Sequence, residues 1–366
     1  MFAFIAVAVC AGLPSLQADD GAASIAAGGL VARHETRIVM AKEILTISQG
    51  KVLVDYDFRN DSGQEVTTEV AFPVPPYKFE TQERSPAEQS FQSFHLWIDG
   101  RPHPYEAEAK ATLKGNDVTQ TLRADKIDIP TFGHFRDWSE KSNEQSENPD
   151  FTRLPEKERK RLVQLGLFDV PESGYGANWI VHLQYHWTQT LPAHATVHIR
   201  HEYSPVLGFS GIFPEELAST SNPRSGDAAQ KASVSEVPTE ERLSSFCADP
   251  PFLRALNAGM NLAQEATQDS KDVPFVELSR SWVDFILTTA NTWKTPIEDF
   301  TLIVERPKVE HGEMSLISFC SPGPVEKLNA DHFQIHLPSF IPNAELHIGF
   351  FGVPIAKKSV APKPKP

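Results

Sequence analysis

The sequence predicts a mainly β protein (α+β), built as two β-sandwich-like modules with helical insertions. Three observations predict it. Apolar and polar residues alternate with period two through segment after segment, as half-buried strands require. The composition, with 29 Pro and 23 Phe against only 4 Met, suits short strands and irregular connections better than a helical bundle. A chain of 366 residues with 40% hydrophobic residues can furnish two ordinary cores.

Residues 1–18, MFAFIAVAVCAGLPSLQA, carry no charge and hold an apolar run from Phe2 to Leu13, too short to span a bilayer. They read as a secretory signal peptide without a basic start, ahead of Asp19 and Asp20. A first β module is expected over residues 19–115. Val52, Val54, Tyr56 and Phe58 alternate with Leu53, Asp55, Asp57 and Arg59, and a polar loop from Asn60 to Gly63 leads to Val66, Thr68, Val70, Phe72 and Val74. Together these read as a hairpin with one buried face. Asn60-Asp-Ser62 also matches the N-glycosylation pattern. Phe94, Leu96 and Ile98 form a further strand closed by an Asp99-Gly100 turn, and Glu106 to Gly115, EAEAKATLKG, reads as a short helix.

Residues 116–175 form a helical and polar insertion. Its clearest helix is Pro155 to Leu165 with Gly166 at its end, and Asp137 to Asp150 reads as a solvated loop or a mobile lid. A second β module is expected over residues 176–352. It opens with a histidine-bearing hairpin in which Trp179, Val181, Leu183, Tyr185 and Trp187 point inward and His182, Gln184 and His186 point away. If the two strands pair around Leu191-Pro192, His186 lies opposite His198 and His182 near Glu202. A linker at 219–238 precedes a helical pair at 239–266 with candidate caps Thr239 and Asp249. From Val276 to Cys320 three strands are expected, with Asn291, Trp293 and Pro296 shaping the first connection. Residues 353–366 read as a disordered Pro/Lys tail.

Chemistry-bearing residues are few. Once the signal peptide is removed, Cys247 and Cys320 are the remaining thiols, and in an exported protein they predict one disulfide. Closing its loop of about 70 residues restricts the unfolded chain by roughly 4 kcal/mol. His182, His186 and His198 are the candidate metal ligands, although two strands supply no dedicated ligand spacing. His201 falls on the apolar face, and with Glu202 and Asp284 it makes the one candidate catalytic set. A core histidine and an exposed polar face are the bland readings of the same residues. No motif implies a cofactor. The net charge of −14 disfavours nucleic acid, which needs a basic face to displace counterions.

Two resemblances add to this. Strand, polar loop, strand ending in Phe72-Pro-Val-Pro75, then Phe94 to Gly100 and a Glu/Ala/Lys stretch resembles the vault/inter-alpha-trypsin domain over residues 44–115, which implies a β-sandwich. The companion metal-binding D-x-S-x-S motif is absent. Over nearly the whole mature chain the sequence resembles a bacterial secreted family known as domain of unknown function 4424. The carrying residues include Ala26 to Leu30, Val70 to Pro73, Tyr185-His-Trp187, His201-Glu-Tyr203 and Pro205. They continue through Leu287 to Thr289, Asn291, Trp293, Pro296, Phe300 and Ser318-Phe-Cys320. Ala290-Asn-Thr-Trp293 departs from that pattern, where a glycine and an uninterrupted Asn-Trp pair are expected. The resemblance implies export and no particular activity. The expectation is therefore a periplasmic or secreted bacterial protein with no transmembrane segment after cleavage. It acts as a non-catalytic binding or structural module for an envelope protein or ligand, with a periplasmic hydrolase or a metal-binding protein using residues 179–203 as the alternative.

Overall fold

The structure, a computed structural model, describes residues 21–26, 29–78, 94–132, 153–168, 177–214, 216–217, 243–267, 276–308 and 313–354. The expected signal peptide, the polar loop 137–150, the linker 219–238 and the tail from residue 355 lie outside them. The chain is mainly β, as the alternation predicts. In order come β1 (Gly21–Ala26), β2 (Gly29–Ala32), β3 (Ile38–Ile47), β4 (Val52–Asn60), β5 (Val66–Pro73) and β6 (His95–Ile98). Next are β7 (Arg101–Pro102), β8 (Glu106–Leu113) and β9 (Asn116–Asp117), followed by helices α1 (Thr119–Ala124) and α2 (Glu156–Gln164). Then come β10 (Ile180–Leu191), β11 (Thr196–Tyr203), β12 (Leu207–Ile212) and helix α3 (Pro250–Thr267). The last strands are β13 (Leu278–Phe285), β14 (Ile297–Glu305), β15 (Glu313–Phe319), β16 (Glu326–Lys327), β17 (His332–Phe340) and β18 (Leu346–Pro354).

These strands form a six-stranded sheet, order β2-β1-β5-β10-β8-β9, an eight-stranded sheet, order β16-β17-β14-β3-β4-β11-β6-β7, and a four-stranded sheet, order β12-β13-β18-β15. The two larger sheets face each other across the main core, where the Phe72 ring lies 4.4 Å from His201 and Phe94 stacks on Tyr185 at 4.0 Å. Strands from residues 19–115 and from 176–352 mix in both sheets, so the sandwich is assembled from the two halves of the chain together. The four-stranded sheet sends Val283, Phe285, Ile348 and Phe350 into that core and turns Leu278, Phe351 and Val353 toward α3, Leu256 and Met260. Gly259 permits this close seat: a Cβ there would stand 2.8 Å from the Cβ of Val353.

Several expectations change. Glu106–Leu113 is a strand, not a helix, because β10 offers it a full ladder from Thr112 opposite Ile180 to Glu106 opposite His186. Glu, Ala and Lys favour a helix in isolation, but the edge-filling ladder overrides that preference. The segments 52–60 and 66–73 are not a hairpin: β4 belongs to the eight-stranded sheet and β5 to the six-stranded one. Likewise β10 pairs with β5 and β8, whereas β11 pairs with β4 and β6, so the predicted histidine hairpin does not exist. Each connection is a corner that carries the chain from one sheet to the facing one while the same alternate residues stay inward. Val353 and Pro354, read by composition as tail, complete β18, and Val353 is buried.

The two corners are stitched together by one side chain. Asn60 is fully buried, and its amide nitrogen donates to the carbonyls of Gln64, at 2.8 Å, and Leu191, at 2.9 Å. Its Oδ1 accepts from the backbone N–H and the hydroxyl of Ser62 at 2.9 and 2.7 Å, and its own N–H donates to Ala195 O. Glycosylation at the Asn60-Asp-Ser62 pattern is incompatible with this arrangement.

At the other end of the core, Trp293 is buried 4.7 Å from Phe58. The 3-10 helix Thr288–Thr292 before it is capped from outside: Glu345 accepts from the N–H groups of Leu287 and Thr288 at 2.6 and 3.2 Å. Thr292, the residue inserted relative to the family pattern, bonds through its hydroxyl to Thr289 O, and its carbonyl accepts the Glu35 N–H. The predicted disulfide joins Cys247 and Cys320, with Cα atoms 5.0 Å apart, and fastens the 3-10 turn Leu243–Phe246 to the end of β15. Among the described residues no helix is long and apolar enough to cross a membrane.

Two stability outcomes follow from these ties. Asn60→Ala leaves buried carbonyls and an Asx-turn without partners and should lower unfolding free energy by about 2–3 kcal/mol, read from the urea midpoint at constant slope. Replacing both cysteines with serine should cost about 2–5 kcal/mol, and reductant should then leave the variant's thermal midpoint unchanged while lowering that of the wild type.

Candidate functional site

The residues singled out for catalysis are not brought together. His201 points into the core, fully buried among Phe72, Tyr56 and Phe94. Glu202, its neighbour on β11, points the opposite way and sits 3.9 Å from Lys51. Asp284 lies on β13 in the four-stranded sheet and meets His347 Nδ1 at 2.5 Å, with that imidazole stacked on Phe246. The placement of His201 is that of a packing residue, joined to an aromatic cluster.

The three metal candidates are also divided. His182 lies 2.9 Å from the Thr112 hydroxyl and His186 2.7 Å from Glu69 Oε1, both on the outer face of the six-stranded sheet. His198 is on the outer face of the eight-stranded sheet. Among the described residues no three or more His, Cys, Asp or Glu side chains are placed to hold a metal ion. Around His186 the polar groups are engaged with one another: Thr188 donates to Glu69 Oε2 at 3.0 Å, and Gln184, itself buried, donates to Glu108 at 2.8 Å. The His186 and Glu69 side chains are only 12% and 14% exposed, so this network offers little to a ligand.

The outer face of the eight-stranded sheet is different. Strands β4, β11 and β6 set outward residues in register in three rows: Leu53, Glu202 and His95 in one, Asp55, Arg200 and Trp97 in the next, and Asp57 and His198 in the third, with Asp99 just past the end of β6 beside them. Alternation alone fixes this, because Val54, Tyr56, Ile199, His201 and Leu96 are the inward partners on the same strands. Asp99 ends the third row in the left-handed turn it shares with Gly100 (φ 49° and 76°), and its carboxylate accepts the His198 N–H at 3.0 Å.

The array is open and internally paired. His198 has Asp57 3.0 Å from Nδ1 and Asp55 3.2 Å from Nε2, and Arg200 Nε lies 3.9 Å from Asp55. The His198 and Arg200 side chains remain 46% and 45% exposed. Trp97 is half-buried, and its ring is near-parallel to that of His95, at 14° and 5.7 Å between centroids. Beyond the array, Arg59 continues the outward row of β4 and forks onto both oxygens of Glu298 at 2.8 Å while meeting Asp61 at 2.7 Å. Those bonds raise the guanidinium above its usual range, and the Arg59 hydrogen bond holds Glu298 below the ordinary glutamate value. Asp61 is lowered by Arg59 first and by Lys294 second.

Sequence reasoning flagged His198 and Glu202 here but missed Asp55, Asp57, Trp97 and Arg200 as partners. The outward phase of β4, β6 and β11 was readable, but not that the three strands lie side by side.

The interleaved β-sandwich backed by a helix-covered sheet is a mainly β scaffold. The chain belongs to the family described as Domain of unknown function (DUF4424), whose model matches residues 18–348. No curated protein matches it. Among solved structures it is similar to a protein from Legionella pneumophila subsp. pneumophila str. Philadelphia 1, provisionally described as nutrient-binding, at 12% identity, a TM-score of 0.34 and coverage of 87% of this chain and 68% of the other. A TM-score of that size supports no inference for this chain.

Acid should weaken the fold through the depressed carboxylates. Glu35 is buried, and its carboxyl is held below the ordinary glutamate range, chiefly by the Arg37 side chain and also by its N–H. A depressed group stabilises the fold fully above its unfolded value and loses that contribution as pH falls through the folded one. Unfolding free energy should therefore hold near pH 6–7 and decline below about pH 4.5. In Glu35→Gln the decline should be shallower, as urea denaturation across that range would show.

Proposed function

We propose that the protein is exported across the inner membrane of a bacterium and works in the periplasm or beyond as a non-catalytic binding module of the envelope. Its ligand or partner meets the outer face of β4, β11 and β6. The observation that carries this is the array itself: acids, bases and two near-parallel rings set in register on an open sheet face. The dispersal of His201, Glu202 and Asp284 favours binding over hydrolysis, since general acid–base chemistry needs such groups within hydrogen-bond reach of one reacting centre. An uncharged, apolar N-terminal stretch ending before Asp19 supports export, and the Cys247–Cys320 bond suits an oxidising compartment.

The binding claim is tested by thermal shift with fractionated envelope extracts. One fraction should raise the midpoint of the wild type by several degrees, since ligand at about a hundred times its dissociation constant adds about 2.7 kcal/mol. The same fraction should leave a Trp97→Ala, His198→Ala, Arg200→Ala triple variant unmoved. Equal shifts in both proteins would place the binding surface elsewhere.

A further inference from the structure

We propose that the face of β4, β11 and β6 binds a neutral glycan chain, with a sugar ring seated against Trp97 and its hydroxyls bonded to Arg200, Asp55 and His198. The proposal rests on the reading of this face as the binding surface and adds the chemical class of the ligand.

The geometry favours an extended, flat occupant. Neighbouring strands are about 4.8 Å apart and same-face residues about 6.8 Å apart along each strand, so the array is a shallow plane, and no deep cleft is needed to explain its contacts. A pyranose presents C–H groups on a ring face and hydroxyls around its rim. That pattern requires an aromatic plane beside fixed donors and acceptors. Trp97 supplies the plane, with the His95 ring stacked beside it, and Arg200 stands directly opposite it in register. Arg200, His198, Asp55 and Asp57 supply groups already held by one another, so little side-chain freedom remains to be lost on binding.

Charge selects among ligand classes. Asp55 lies beside Arg200 and His198, Asp57 beside His198 and Glu202 beside Lys51, and with Asp99 the face carries more carboxylates than permanent cations while offering many hydrogen-bonding groups. A polyanion would meet uncompensated acids in a chain of net charge −14. A protein partner is disfavoured by the carboxylates of Asp55, Asp57 and Glu202 around Trp97 and Arg200, because interface centres are depleted of acids. A polyhydroxyl ligand without charge suits what remains.

The test uses the full chain titrated with neutral β-1,4-linked glucose and N-acetylglucosamine tetraoses and with maltotetraose, read by calorimetry. At least one should bind at millimolar concentration or tighter. Trp97→Ala should weaken it by about tenfold or more, a loss equivalent to one stacked ring contact. Trp97→Phe should stay within about threefold of wild type, since a benzene ring keeps the plane. Arg200→Ala should also lose affinity, and circular dichroism should show all three variants folded. Unchanged affinity in Trp97→Ala, or no binding by any of the three sugars, overturns the proposal. If the sugars fail while an envelope fraction still stabilises the wild type and not the triple variant, the glycan assignment falls and the binding face stands. If no fraction does so, both fall.

Discussion

The fold turns on the two corners where the chain leaves one large sheet for the other. A strand that ends in a sandwich has unpaired backbone groups at the rim, and two strands passing between sheets at one place double that burden. Asn60 meets it by bonding both corners at once, reaching Gln64 in its own loop and Leu191 at the end of β10. The position of β4 relative to β5, and of β10 relative to β11, is thereby set by one buried amide. Because the facing sheets are built from these four strands at their middle, the main core inherits its registration from that bond set.

Interleaving has an energetic logic. A parallel contact between β3 and β14 closes residues separated by more than half the chain, from Glu43 opposite Phe300 to Ile47 opposite Val304. Such non-local pairing carries a loop-closure cost before it gains anything, so the core must repay it. Tyr56, Phe58, Phe72, Trp293 and Phe300, each all but fully buried, are the repayment, at about 1.5–3 kcal/mol for a large apolar side chain. His201 belongs to the same group. Its imidazole fills a space lined by aromatic rings.

Strand existence was legible from the sequence, because alternation depends only on which face is buried. Strands 278–285, 297–305 and 313–319 and the bond between Cys247 and Cys320 are cases in point. Pairing was not legible. A period of two is identical for a hairpin and for a corner between facing sheets, so His186 and His198 looked like cross-strand neighbours and instead stand on different sheets. The segment Glu106–Leu113 misled for another reason. Its residues prefer a helix locally, and only the open edge of β10, brought from some seventy residues away, made a strand the better state. The same limit hid the array on β4, β11 and β6, whose members come from three distant stretches of sequence.

The two outer faces differ in how their polar residues are held. On the six-stranded sheet, Glu69 is bonded to His186 and Thr188, and Gln184 to Glu108, with His186, Glu69 and Gln184 largely withdrawn from water. On the eight-stranded sheet, His198 and Arg200 keep nearly half of their side chains in water while pairing with Asp55 and Asp57. Exposed ion pairs contribute little to stability, at most about 1 kcal/mol each. Asp55, Asp57, His198 and Arg200, set in register with an indole for so small a return, are what support the binding role proposed for this face.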